Sequence, residues 1–262
     1  MIRIRQKQLE EIERALALEG FEDEMVAHVR AFAPRHAEVI GEDWVRRAIL
    51  LGVARAGAYG VDNPGLLRFY VELMLTLGSM FDTDPLQPWA GEILRDPSLP
   101  DQAARVDRLY DATCGYLGAV DGPEGAFSIR AMRNLQAILR DGEAMEDLGV
   151  EPRAVAILKR AYPERVAHLG EPPLVLLVRN SREVAARLDM GTALGGALVA
   201  GLTFALGHGF ADDPLYPWVR ATLHDPAIKG PERRVARLMK RVEIYVDRAL
   251  QHLDGRRADG QG

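Results

Sequence analysis

Acidic side chains gather twice in this chain, and carboxylates at such density are the raw material of acid–base or metal chemistry. The first group is Asp82, Asp84, Asp96 and Asp101, with Glu92 beside them; the second is Asp212, Asp213 and Asp225, with His208 just upstream. Acid–base catalysis needs such groups converging in a cleft with shifted pKa values, so one reading is a carboxylate-dependent hydrolase acting through Asp84, Asp213 and His208. The spacing favours a structural reading. Asp84-Pro85 and Asp96-Pro97, written again as Asp213-Pro214 and Asp225-Pro226, are turn dipeptides. In them the carboxylate accepts nearby backbone N–H groups and the ring fixes φ. Pro88 and Pro217 lack the N–H that a helix begun at Asp84 or Asp213 would need, so helices are expected to start at those prolines. Phe81 with Trp89, and Phe210 with Trp218, then clamp the two turns. The acids also fail to recur in place: Asp82 is matched by Ala211, and Thr83 by Asp212.

Other chemical signatures are weak. FDTDPLQPWAGE lacks the central glycine of a calcium loop. The six histidines form no metal-ligand spacing, and His208 has Ser79 as its counterpart. No nucleophile elbow, phosphate-binding loop or dinucleotide fingerprint is present, and the single cysteine, Cys114, lies on an apolar helical stripe where it packs. No catalytic residue, metal or cofactor is therefore expected.

The elements that carry these acids are duplicated. LGSMFDTDPLQPWAGEILRDP begins at Leu77 and LGHGFADDPLYPWVRATLHDP at Leu206, 129 residues later and without a gap. Over 77–109 against 206–238, 15 of 33 positions are identical. The register reaches upstream, aligning Val26-Ala27, Pro34 and Gly41-Glu42 with Val155-Ala156, Pro163 and Gly170-Glu171. Apolar residues recur at helical spacing and no strand pattern is sustained, so the fold class is all-α. Helices are expected over 6–18, 22–32, 43–59, 64–78, 88–95 and 101–117, and again over 128–140, 152–167, 174–189, 192–206, 217–224 and 231–252. That gives two tandem repeats of about six helices, 1–117 and 128–253, related by a pseudo-twofold. A Gly/Pro-rich linker lies over 118–127 and a disordered tail over 254–262.

A chain of 262 residues with 27% charged and 48% hydrophobic residues has the profile of a globular protein. Its net charge of −5 gives no general pull toward nucleic acid. One cysteine and no secretory signal pattern point to the cytoplasm. Residues 191–207 are uncharged and approach the length of a membrane span, which opens a second alternative, a membrane-active toxin. The matching stretch 62–78 carries Asp62, Arg68 and Glu72, so a buried central helix is preferred. Gly195, Gly196, Ala197, Ala200 and Gly201 would let a neighbouring helix approach it closely. The last helix offers a basic face, Arg233, Arg234, Arg237, Lys240 and Arg241, where an acidic partner could dock.

The string LGSMFDTDPLQPWAGEIL, followed by RVDRLYDA and preceded by MIRIRQKQLEEIERA, resembles a family of bacterial helical proteins associated with type VI secretion gene clusters. The resemblance covers 1–117, and 206–246 by way of the motif. It carries no active-site residue. It implies a non-enzymatic accessory role, as adaptor or chaperone for a secreted toxin or as an immunity-like protein, with a toxin or a component of the secretion spike as partner. Members of that family are about as long as one repeat, and here RVDRLYDA has become RVARLMKR in the second copy.

Overall fold

Proline punctuates the molecule, because it is tolerated at the first helical position and at few others. The computed structural model describes residues 20–141 and 151–259, the last six by backbone alone. The helix expected over 6–18 lies outside the described residues. Helices α1 (20–32), α2 (Pro34–Ile40), α3 (Glu42–Gly57), α4 (Pro64–Leu77), α5 (Pro88–Leu94) and α6 (Gln102–Val120) form the first half. A short 3-10 turn, Pro123–Gly125, leads to α7 (Ala126–Arg140). The second half continues with α8 (Glu151–Ala161), α9 (Pro163–Leu169), α10 (Glu171–Arg187), α11 (Ala193–Leu206), α12 (Pro217–Leu223) and α13 (Pro231–Asp259). The described residues are all-helical and contain no strand. Among them, no helix is long and apolar enough to cross a membrane.

Helix starts at 34, 42, 64, 88 and 102 recur at 163, 171, 193, 217 and 231, each 129 residues later. Local chemistry repeats with them. Asn63 caps α4 by accepting from the Gly65 amide at 3.0 Å, and Thr192 caps α11 by accepting from Gly195 at 2.9 Å. Three expectations need correction. Pro163 splits the expected helix 152–167 into α8 and α9. The stretch without regular α-helix between the halves narrows to 121–125, and α13 runs to Asp259 through most of the segment expected to be disordered.

Among the described residues, four of the five buried apolar clusters correspond in pairs across the same register. One holds Tyr70, Leu73, Phe81 and Leu109, and its counterpart holds Val199, Leu202, Phe210 and Leu238. The other pair sits under the helices that begin each half: Val26, Val29, Val45 and Ile49 in one, Val155, Leu158, Leu174 and Val178 in the other. Here one residue is exchanged. Leu86 of the first turn packs in the cluster of the second half, and Leu215 of the second turn packs in the cluster of the first. Both are buried. Each half therefore completes the core of the other.

Candidate functional site

The two Asp-Pro turns meet in the fold. Asp84 and Asp213 are both buried, and each closes its own turn: Asp84 Oδ1 accepts from the Leu86 amide at 2.8 Å, Asp213 Oδ1 from the Leu215 amide at 2.9 Å. Their remaining capacity crosses to the other half. The amide and hydroxyl of Ser79 donate to Asp213 at 3.0 and 2.5 Å, and the His208 amide donates to Asp84 at 3.4 Å. Ser79 and His208 stand 129 residues apart, the same spacing as Asp84 and Asp213, so the bonding is reciprocal. The outer acids are used in the same way. Asp96 accepts from the Ser98 amide, Asp225 from the Ala227 amide, and Asp101 from the Ala104 amide at the start of α6. The described residues contain no group of three or more His, Cys, Asp or Glu that could hold a metal ion.

Asp213 is the electrostatically stressed member. Burial pushes its carboxyl above the ordinary 3.8, more strongly than Ser79, the Leu215 amide and nearby His36 pull it down. His36 itself is lowered by burial. A raised carboxyl favours the protonated form in the fold, so its stabilising contribution is complete below the ordinary pKa and lost as pH rises through the folded one. Wild type is therefore expected to lose stability relative to Asp213→Asn as pH rises above the ordinary carboxyl value of 3.8. Urea denaturation across that range is the check, and parallel pH profiles would overturn the assignment.

The shifted acid of the first turn has its own explanation. Asp82 is buried and accepts from Arg55 at 2.9 and 2.5 Å and from the Tyr59 hydroxyl at 2.9 Å. The counterparts of these three residues are Ala211, Val184 and Leu188, which pack against the second core. A buried ion pair can be exchanged for apolar groups only if all partners change together, since one left alone would be an uncompensated charge. Asp212, one position on, is exposed and pairs with Arg220 at 3.0 Å.

The basic face on α13 is smaller than expected. Arg234 is buried and points inward, donating to the carbonyls of Leu223 at 2.6 Å and Ile228 at 3.1 Å and to Asp189 at 3.0 Å. Leu223 ends α12, so Arg234 satisfies a carbonyl that the helix leaves open. Arg105 does the same for Leu94 at the end of α5, at 3.5 Å, and also bonds the Tyr59 carbonyl at 2.7 Å. Lys240 pairs with Glu243 at 2.6 Å. Arg233, Arg237 and Arg241 are exposed.

Phe81 and Phe210 are fully buried, Trp89 lies 5.7 Å from Tyr116, and Trp218 stacks on Tyr245 at 5.5 Å. Beside the second clamp the molecule is hollow. A cavity of about 430 Å³ opens among α7, α8, α11, α13 and the end of α6. Its wall is mainly aliphatic, with Leu135, Leu139, Ile157, Leu198, Met239 and Val246. Three buried polar atoms of lining residues have no hydrogen-bond partner: Gln87 Oε1, Arg165 Nε and Trp218 Nε1. Burial keeps the lining tyrosines neutral, Tyr162 being pushed up to about 12.

No family model, curated protein or solved structure matches this chain.

The hollow comes from residues read in the sequence as allowing close helix approach. Gly196 meets that expectation, since a Cβ there would lie 3.2 Å from the Arg182 side chain of α10. Gly201 does not: a Cβ there would meet nothing within 4 Å, and Gly201, Ala197 and Ala205 all line the cavity. The same positions in the first half are Glu72, Arg68 and Thr76. There His28 closes on Glu72 at 2.6 Å, where the second half has Ile157 and Gly201. Uncharged residues facing charged ones across the repeat register were the available signal. The polar triplet Gln87, Arg165 and Trp218 was not legible, since two of its members lie outside the identical positions.

Proposed function

We propose that this chain is a tandem duplication of one helical unit, folded with a pseudo-twofold, and that it is a non-catalytic binding protein whose second half receives an apolar group. The duplication is supported by the repeated helix starts, the paired clusters and the reciprocal bonds of Ser79 and His208. Against the hydrolase alternative stands the engagement of Asp84 and Asp213 by turn amides, because a carboxylate already accepting such bonds is positioned for structure. The exposed His208 ring lies 3.9 Å from Asp84 and 3.3 Å from Thr83. The observation that carries the binding reading is the cavity, whose volume falls within the range of about 300–1,000 Å³ of ligand sites. The resemblance to proteins of type VI secretion clusters is compatible with an accessory role, such as adaptor or chaperone, for a protein of this kind.

The test uses N-phenyl-1-naphthylamine, a neutral dye that brightens in apolar surroundings. Saturable binding near one dye per chain is expected, abolished by Gly201→Phe, which projects a ring into the hollow. Thermal unfolding of the variant should remain cooperative. Absence of saturable dye binding, or binding unchanged in a folded Gly201→Phe protein, overturns the reading.

A further inference from the structure

The cavity has a chemical polarity of its own, and it resides in Arg165. This half-buried guanidinium lies 4.6 Å over the Phe204 ring, and its Nη1 donates to the Phe204 carbonyl. Its Nε is buried and unpartnered, and no carboxylate among the described residues pairs with it. Trp218, also a lining residue, carries a second unpartnered donor, its indole Nε1. Unsatisfied buried donors are rare in native proteins because each forfeits its hydration, and water repairs them only where it finds two to four polar partners. Here most of the remaining wall is apolar. A group that accepts from both donors while its body fills the hollow would satisfy the arrangement.

Two other charged residues line the cavity. Glu164 is neutralised by Arg130, whereas Asp121, which begins the turn into α7, has no side-chain hydrogen bond or ion pair among the described residues. Asp121 would suit a cationic head, so the sign of the head is a testable part of the claim. Arg165 is favoured because an acceptor there relieves a buried donor.

Resting on the binding reading above, we infer that the ligand is a single-chain amphiphile with a carboxylate head, its tail among α7, α8, α11 and α13 and its head on Arg165 and Trp218. Gln87, another lining residue with an unpartnered acceptor at Oε1, would accommodate a head that arrives protonated. The first half holds no equivalent, since His36 stands at the position of Arg165 and Glu72 at that of Gly201. One amphiphile per chain follows.

Decanoate, decanol and decylamine, each below its micellar concentration, are titrated against the full-length protein by calorimetry. Decanoate is expected to bind about ten- to a hundredfold more tightly than decanol, the value of hydrogen bonds to a charged group. Arg165→Gln should erase that preference while leaving decanol affinity within about threefold, which distinguishes loss of the head contact from loss of the fold. Trp218→Phe, which keeps a ring against Tyr245, is the second variant and should reduce the preference in part. Equal affinity for acid and alcohol, or tightest binding of the amine, overturns the head assignment and leaves the apolar site standing. Failure of all three probes to bind overturns the site itself.

Discussion

Leu86→Ala is expected to lower the unfolding free energy by about 2–5 kcal/mol, the usual cost of emptying a well-packed leucine site. The damage should appear on the far side of the sequence. Leu86 lies in the turn before α5 but packs with Val155, Leu158, Leu174 and Phe204, so α8, α10 and α11 lose their support. Urea denaturation gives the magnitude, and native-state amide exchange gives the place. Faster exchange in those three helices, with α4 and α5 less affected, is the expected pattern. Leu215→Ala should mirror it by loosening α1 to α3, where Met25, Val29, Val45 and Ile49 surround that side chain. Exchange confined to residues 82–87 after Leu86→Ala would mean that the buried contact contributes little.

The second large effect is expected at Gly78. This residue ends α4 with φ of 99° and ψ of 149°, a region open to glycine and hardly to any other residue. A Cβ there would lie 2.7 Å from the Leu206 carbonyl oxygen, which belongs to backbone and cannot swing away. Conformational strain of about 1–3 kcal/mol and overpacking of about 1–3 kcal/mol therefore add in Gly78→Ala. Gly207, its counterpart, has φ of 94°, yet a Cβ there has 3.5 Å to its nearest neighbour, Asp84 Oδ2. Gly207→Ala should cost the strain alone. Denaturation midpoints of the two variants separate these contributions, and equal losses would show that the Leu206 contact relaxes.

The all-helical class was legible because periodicity and N1 prolines agree at nearly every element. Pro88 and Pro217 do start helices, and Asn63 does cap one. The short helices α2 and α9 were less visible, since seven residues carry too little periodicity to stand out. Their bracket was present in the aligned Pro34/Pro163 and Gly41/Gly170. The engagement of Asp84 and Asp213 by turn amides follows from the Asp-Pro chemistry. Their second bonds, to Ser79 and His208, do not, because a local motif says nothing about what approaches it from 120 residues and more away. Arg234 misled for a related reason. On a helical wheel it joins a charged face, but the end of α12 draws it inward. The cavity was hidden because small residues are ambiguous in sequence: Gly196 admits a helix, whereas Gly201 admits empty space.

The exchange of Leu86 and Leu215 has a consequence for how this polypeptide can be divided. A cut at 121–125, where the helical run lapses, would yield fragments that each present a vacant leucine socket and one unsheltered leucine. The vacancy in either fragment is matched only by the projection on the other. Covalent continuity between them supplies proximity, while the interlock itself resides in those two side chains and the crossed bonds of Ser79 and His208.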